Sequence, residues 1–517
     1  MNQSRTQKSL KNTFFALFSQ LLAVFLGFLC RTVFIYTLGN SYLGISSLFS
    51  NVLSLLSITE LGFSTAIIYT MYKPIANNDQ KKIAALMNLY AQVYRVMGII
   101  ILVVGIILIP FLNLFISDIS QMPTDLPPIW IIYLMYLINT LLTYFYGYKR
   151  SIIIATQNGY INSTNTLVFV VLRNILQIFI LLCGGAFVFY LLIQLLTTFL
   201  ENIRISLIAD KMYPYLKTYN KEKVSQEDLS KIKKNIVAMA SYRLGFGLIN
   251  GTDNLIITKV SGFLVTGLYS NYMLLNSTVQ ELYRQIITPM TSAVGNLIAT
   301  SDKSNSYHLF FKIFFLNGFL AVFSSVCLIN LINPFIKLLW GKQSLLSYVF
   351  VFVFVINAFV TCMRETSKIF IDTAGLFWFI RWKTIVEALL NIVLSWILGH
   401  SMNLGIEGVI LGTLISNLTT NFWWEPFVVH KYYFDKPLSK YYLDYCKYFV
   451  CFCLSYLLSG YFVQIFNENL FGLILGFLTS IFSCSVFFVL LFYNTDEFRY
   501  YLTLFSNILK KLSKKSL

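Results

Sequence analysis

Long continuous runs of apolar residues constrain this chain more than any other feature. Fourteen stretches of about twenty residues or more are apolar without alternating in hydropathy, which favours membrane helices over the strands of a β-barrel. Only 12% of the 517 residues are charged, against about a quarter in soluble proteins. The composition therefore excludes a soluble globular protein, and its apolar content excludes a disordered chain. We predict an all-α polytopic membrane protein with about 14 transmembrane helices. The predicted spans are residues 12–38, 43–71, 84–110, 127–148, 159–183, 186–210, 235–259, 264–298, 307–332, 345–363, 376–399, 405–430, 446–466 and 470–493.

The basic residues gather in every second loop between these spans. The predicted inner segments include the polar linker Lys211–Lys234 and the tail Lys510–Lys515, whereas the predicted outer loops hold only Lys259, Lys337 and Lys342. Such asymmetry orients membrane proteins with the basic loops inside. It predicts a multi-pass membrane protein with both termini cytoplasmic. The net charge of +17 is explained in this way and gives no reason to expect nucleic acid as a partner.

An internal repeat relates the two halves of the sequence. Matching residues recur 222 to 224 positions apart over six spans: Gly39 and Gly262, Gly44 and Gly267, Asp79 and Asp302, Pro110-Phe111 and Pro334-Phe335, Thr197-Thr198 and Thr419-Thr420. Since both halves begin inside, the repeat is parallel and its pseudo-two-fold axis runs along the membrane normal, as in many transporters. We predict an N-terminal six-helix lobe (1–212), a cytoplasmic linker (213–230), a C-terminal six-helix lobe (231–430) and two extra helices with a basic tail (431–517), with a central cavity between the lobes.

Arginines at membrane depth are the candidate binding residues. A guanidinium group in the bilayer is costly and usually faces protein, water or a ligand, and its planar fork suits phosphate and diphosphate. The candidates for substrate binding are Arg31, Arg243, Arg284, Arg95 and Arg173. For Arg31, snorkelling of the side chain to the membrane surface is the alternative. Arg95, Arg173 and Arg284 lie deeper in their spans. No phosphate-binding loop for ATP occurs.

Three carboxylates at membrane depth are candidates for coupling transport to a proton or sodium gradient: Glu60, Asp253 and Glu281. Glu281 and Arg284 are three residues apart and alternatively neutralise each other on one helix face. Two spans have a polar stripe at helical spacing. On span 8 it consists of Ser277, Gln280, Glu281, Arg284 and Thr288, and on span 7 of Arg243, Asn250, Asp253 and Asn254. Together with span 1, which holds Arg31, these spans are the predicted cavity walls. The eight cysteines and three histidines lack metal-type spacing. No metal, catalytic residue or bound cofactor is predicted.

Several motifs resemble the Wzx-type polysaccharide flippases of the multidrug/oligosaccharidyl-lipid/polysaccharide exporter superfamily. They are Arg31, Leu38-Gly39, Ser57–Phe63, Tyr72–Ala76 and Asp79 in the first half, and Thr252–Ile257 and Gly267–Tyr272 in the second. The resemblance implies two six-helix lobes that rock around a cavity and move an undecaprenyl-diphosphate-linked oligosaccharide for capsule, exopolysaccharide or O-antigen-type synthesis. It also implies membrane lipids as partners, together with a polysaccharide polymerase and chain-length machinery, and it places the polyprenyl tail beside helices 13 and 14.

Other functions remain open on the sequence. A multidrug exporter of the same superfamily and a lipid II-type flippase are the alternatives within the fold. A membrane polymerase or glycosyltransferase is disfavoured because the longest predicted outer loop, Leu112–Leu126, holds only Asp118 and Asp125 as charged residues. We therefore do not expect an enzyme.

Overall fold

The computed structural model describes residues 22–56, 77–115, 126–156, 158–287, 303–465 and 469–513, with a few isolated positions between these ranges. Inside one long helix, the side chains of residues 231–251 are outside the description. Glu60 and the side chain of Arg243 therefore lie outside the described residues, and their roles stay predictions.

Every regular element in the described ranges is helical. The first half contains α1 (Leu22–Thr37), α2 (Asn40–Leu56), α3 (Gln80–Leu108), α4 (Ile129–Tyr146), α5 (Arg150–Ala155), α6 (Gly159–Leu182), α7 (Phe187–Met212) and α8 (Tyr215–Thr218). The second contains α9 (Gln226–Ile287), α10 (Lys303–Trp340), α11 (Tyr348–Met363), α12 (Glu365–Ala374), α13 (Phe377–Ile380), α14 (Lys383–Trp396), α15 (Gly405–Val429), α16 (Ser439–Ile465), α17 (Leu470–Phe492) and α18 (Asp496–Ser513).

The all-helical polytopic architecture predicted from the sequence is confirmed. Within the described ranges, nine helical segments are long and apolar enough to cross a membrane, and Leu22–Thr37 is a shorter apolar helix. Helix α15 is not among the nine, because polar residues such as Asn417, Asn421 and Glu425 lower its hydropathy. These side chains are buried, so α15 satisfies them against protein.

The chain divides into two compact units, Met1–Gly267 and Leu268–Leu517. In the first unit α7 packs on α4 and α6, and α3 packs on α4. In the second, α15 packs on α14 and α11, while α10 contacts α11, α16 and α17. The division falls inside α9, and the lobe bounds predicted at 212 and 231 stay a prediction.

Two glycines related by the repeat have the backbone conformation that favours glycine. Gly39 (φ +91°) separates α1 from α2, and Gly262 (φ +82°) interrupts α9. A residue with a Cβ is strained at such positive φ values. The same break therefore recurs at the same place in each repeat.

A reciprocal contact joins the two repeats inside the first unit. Gly44 on α2 lies against the carbonyl oxygen of Phe263, and Gly267 on α9 lies against the carbonyl oxygen of Asn40; a Cβ on either glycine would overlap that oxygen. At the repeat spacing of 223, Asn40 is equivalent to Phe263 and Gly44 to Gly267. Such exchanged contacts are what a two-fold relation produces. The contact supports the parallel repeat read from the sequence.

Candidate functional site

Two of the predicted arginines converge on one tyrosine in the first unit. Arg31 on α1 and Arg173 on α6 both interact electrostatically with Tyr190, near the start of α7. All three residues are half-buried. The site therefore places two guanidinium groups near one phenol hydroxyl.

Polar contacts hold these three helices in register. The Cys30 thiol lies 3.8 Å from Gln177 Oε1, which joins α1 to α6. Gln177 Nε2 donates a hydrogen bond of 3.1 Å to the carbonyl oxygen of Tyr190, which joins α6 to α7. Gln177 follows Arg173 by one helical turn and so shares its face. The ring of Phe34 packs edge-on against Tyr190 with centroids 5.0 Å apart. The two arginines are thus presented by a packed three-helix scaffold.

The other described arginines have different surroundings. Arg95 is exposed on α3 and interacts electrostatically with Tyr148, at the C-terminal end of α4. Arg284 is exposed on the second part of α9 in the second unit. The structure therefore groups Arg31 with Arg173 and shows separate environments for Arg95 and Arg284.

The described part of the polar stripe on α9 is exposed at Ser277, Glu281 and Arg284 and half-buried at Gln280, whereas Thr288 lies outside the described residues. Glu281 and Arg284 are both exposed, and no ion pair between them is found among the described residues. The neighbouring Tyr283 is buried and donates hydrogen bonds to Asn317 and, over 2.9 Å, to the carbonyl oxygen of Cys362. Tyr283 thus fixes the rotation of this helix and directs the stripe away from its protein contacts.

Asp253 is buried in the first unit, with 6% of its surface exposed. Its neighbour Asn254 lies within hydrogen-bond reach of Ser47 on α2, at 3.4 Å between Oδ1 and Oγ. The Thr258 hydroxyl donates a hydrogen bond of 2.7 Å to the Asn254 carbonyl oxygen. Asp253 thus lies beside a buried polar cluster formed by Asn254, Ser47 and Thr258, whereas Glu281 is exposed.

A buried network of four charges in the second unit was not predicted from the sequence. Arg364, between α11 and α12, makes a bidentate contact with Glu425 on α15. Its Nε donates to Oε2 at 3.0 Å and its Nη2 donates to Oε1 at 2.7 Å. Lys383, the first residue of α14, donates to the same carboxylate at 2.6 Å and lies 3.4 Å from Glu387. Lys383 and Glu425 are each only 2% exposed. Two cations and two anions thus balance inside the protein.

Amide side chains complete this network. Lys383 Nζ donates a hydrogen bond of 2.5 Å to Asn421 Oδ1. Asn421 Nδ2 in turn donates to Glu387 and, over 2.8 Å, to Asn417. A sequence signal for the network exists: Asn417, Asn421 and Glu425 are spaced by four residues and so form one stripe on α15. Lys383 and Glu387 have the same spacing on α14.

A simpler ion pair with a similar order along the chain occurs in the first half. Arg150, which follows α4, lies 3.2 Å from Glu201 on α7 (Nη2 to Oε1) and donates 3.2 Å to Asn202. Thr166 on α6 donates 2.9 Å to the same Glu201 carboxylate. In each half, therefore, an arginine that follows one long helix pairs with a glutamate on the second long helix after it.

An apolar cavity of about 390 Å³ lies in the second unit between α9, α10 and α17. Leu275, Ile286, Phe323, Cys327, Leu331 and Phe477 are among the residues that line it. Its lining is almost wholly hydrocarbon, so it suits an apolar chain.

The fold is similar to that of transporters of the MOP superfamily. A lipid II flippase, MurJ, in an inward closed conformation superposes with a TM-score of 0.67 at 15% identity, covering 93% of this chain and 99% of that one. An inward-facing MATE-family multidrug resistance transporter of the MOP superfamily gives 0.58 at 14% identity, covering 80% and 94%. A MOP-superfamily transporter from Pyrococcus furiosus, described as having a binding pocket of reversed polarity, gives 0.55 at 14% identity, covering 83% and 96%. No family model and no curated protein matches the sequence.

Proposed function

We propose that this protein is a flippase that moves an undecaprenyl-diphosphate-linked oligosaccharide across the bacterial plasma membrane, for capsule or exopolysaccharide synthesis. The fold supports a membrane transporter, since its neighbours are flippases and exporters. The observation that carries the choice of substrate is the convergence of Arg31 and Arg173 on Tyr190. Both termini lie in the cytoplasm in this proposal, as the distribution of basic residues predicts.

The arginine pair suits a diphosphate head group. Each guanidinium group can make two parallel charge-assisted hydrogen bonds to phosphate oxygens, and two groups together match the two charges of a diphosphate diester. The Tyr190 hydroxyl adds a neutral donor. A cationic drug, in contrast, would be repelled by this site.

The apolar cavity of the second unit is the proposed site for part of the polyprenyl chain. An isoprenoid chain gains about 25 cal/mol for each Å² of apolar surface that it buries away from water. In a bilayer that gain is small, so the cavity contributes orientation more than affinity. Phe477 lines the cavity and lies on α17, which corresponds to the fourteenth predicted span. This supports the proposed placement of the tail beside that span.

Transport is proposed to be driven by a proton or sodium gradient acting on a membrane carboxylate. Asp253 is the best placed of the three predicted residues because it is buried beside a polar cluster. Glu281, which is exposed, and Glu60 remain candidates. A polysaccharide polymerase and chain-length machinery are the proposed functional partners.

The head-group site is tested by transport in proteoliposomes. We expect Arg31→Gln and Arg173→Gln each to lower the rate of transport of fluorescent undecaprenyl-diphosphate oligosaccharide about tenfold, the loss typical of one charge-assisted contact. The matched control is Arg204→Gln, because Arg204 is exposed on α7 and lies 6.0 Å above the ring of Phe169; it is expected to stay within about twofold. Full activity of both folded variants would sink the assignment, and runs with and without a pH gradient identify the driving ion.

A larger side chain that fills the cavity tests whether the cavity holds part of the polyprenyl chain. Cys327→Trp is expected to slow transport of the undecaprenyl substrate about fivefold while a short-chain farnesyl analogue moves normally, since only the long chain needs the space. Leu478→Trp on the exposed side of α17 is the control and is expected to behave like wild type. Equal slowing of both chain lengths would show that the cavity does not hold the tail.

A second candidate is a lipid II-type flippase, favoured by the similarity to MurJ over 99% of that chain. Lipid II has the same diphosphate and prenyl groups, so the residues argued above serve either substrate. Parallel assays with lipid II, with the oligosaccharide lipid and with a cationic drug separate the two flippase functions from a multidrug exporter.

A further inference from the structure

The four-charge network of the second unit is built around a lysine ammonium group enclosed by oxygen atoms. Lys383 Nζ lies 2.5 Å from Asn421 Oδ1, 2.6 Å from Glu425 Oε1 and 3.4 Å from Glu387 Oε2. An ammonium group has three N–H donors, and these three oxygens provide an acceptor for each. Lys383 itself is 2% exposed, so its charge is held by protein alone.

The first half has no charge at the positions equivalent to Lys383 and Glu387. At the spacing of 222 that relates Thr197-Thr198 to Thr419-Thr420, Lys383 is equivalent to Ile161 and Glu387 to Asn165. An arginine-to-glutamate pair is found in both halves, but Arg150 and Glu201 do not lie at the positions equivalent to Arg364 and Glu425 at this spacing. The added cation and the added anion of the second half are therefore absent together from the first.

Other charged groups near the network do not upset this balance. Glu365 and Lys368 on α12 pair with each other at 2.7 Å. Asp372 on the same helix interacts electrostatically with Glu365 and Glu425. The Glu387 charge is therefore the one that Lys383 compensates, helped by Arg364, whose Nη1 lies 3.8 Å from Glu387.

We propose that the Lys383 ammonium is a tethered cation, held in an oxygen-lined site that binds a free monovalent cation when the lysine is removed. Carboxylate and amide oxygens are the ligands that hard cations prefer. Without the ammonium, Glu387 and Glu425 face only Arg364, so the buried site carries one uncompensated negative charge. A buried uncompensated charge is strongly unfavourable, and a sodium, potassium or ammonium ion relieves it. The consequence for the native protein is that this half needs no metal ion to complete its core.

The experiment measures thermal unfolding of the purified protein in detergent, in choline chloride, sodium chloride, potassium chloride or ammonium chloride at one ionic strength. Wild type gives the reference response to the four salts, since a coupling ion bound at Asp253 affects wild type and variant alike. Lys383→Ala is expected to unfold at a lower temperature than wild type in choline and to recover on the order of 2 °C or more, saturably and beyond the wild-type response, with at least one of the small cations. A folded Lys383→Ala with the same salt response as wild type overturns the proposal.

A second variant keeps the test decisive if Lys383→Ala does not fold. Lys383→Met combined with Glu387→Gln removes the added cation and anion together and leaves the Arg364–Glu425 pair. It is expected to fold and to show the same response to the four salts as wild type. A double variant that needs a small cation more than wild type does, or that fails to fold, shows that Lys383 does not act as the counter-cation of Glu387. The readout is stability, so its outcome is independent of the substrate proposed above.

Discussion

Replacing Glu425 by alanine is expected to lower the free energy of unfolding by about 3–5 kcal/mol, the cost of leaving buried charges without their partner. Glu425 accepts hydrogen bonds from both Arg364 and Lys383. Its loss leaves these two cations facing Glu387 alone, with a net positive charge in a site that is almost fully buried. Denaturation in detergent, followed by tryptophan fluorescence, measures the change.

An ion pair with an exposed lysine provides the control for this variant. Lys447 lies 3.3 Å from Asp444 on α16, and its side chain is 44% exposed. Lys447→Met is expected to cost less than about 1 kcal/mol, because water replaces the partner. Combining Glu425→Gln with Lys383→Met restores equal numbers of buried charges and is expected to recover much of the loss. Equal stability of Glu425→Ala and Lys447→Met would contradict the structural role of the network.

Gly267→Ala is expected to destabilise the first unit by about 3 kcal/mol, at the upper end of overpacking costs. The new Cβ would overlap the Asn40 carbonyl oxygen and approach the Gly44 nitrogen to 3.0 Å. Both obstacles are backbone atoms, which cannot rotate away as a side chain does. Helix α2 must therefore shift relative to α9. Thermal unfolding measures the loss.

The control for this prediction is Gly460→Ala on α16. There the nearest atom to a new Cβ is 3.5 Å away, an ordinary contact, and alanine favours a helix by up to about 1 kcal/mol over glycine. Gly460→Ala is expected to be neutral or stabilising. The reciprocal contact also predicts that Gly44→Ala resembles Gly267→Ala and that the two losses are not additive, since one shift of α2 relieves both overlaps. Two independent, small losses would show that the repeats do not pack through these glycines.

Several features of the fold were predictable because they depend only on local sequence. A run of about twenty apolar residues forms a membrane helix whatever its neighbours are, since the backbone must satisfy its own hydrogen bonds in lipid. The spacing of 223 between Gly44 and Gly267 predicted the repeat, and their reciprocal contact supports it. The fold is similar to that of MOP-superfamily transporters, the superfamily that the sequence motifs resemble.

The candidate site was predictable only in part. Arg31 and Arg173 were each found as arginines at membrane depth, because the cost of such a charge is a property of one residue. Their convergence on Tyr190 depends on how α1, α6 and α7 are rotated about their axes, which hydropathy does not specify. For the same reason Arg95, an equal candidate in the sequence, has a different environment.

The sequence by itself determined the helical class, the spans and the repeat, since these follow from the period and length of apolar segments. The tertiary structure alone decided which charges meet. Arg364 and Glu425 are 61 residues apart, and in the sequence Arg364 is indistinguishable from the basic residues of a cytoplasmic loop. Lys383 and Glu387 lie within a largely apolar segment. Their spacing of four residues indicates a shared helix face, but the sequence does not identify their partners on other helices. Whether a buried charge is balanced depends on atoms from three helices at once, and that information exists only after the helices have packed.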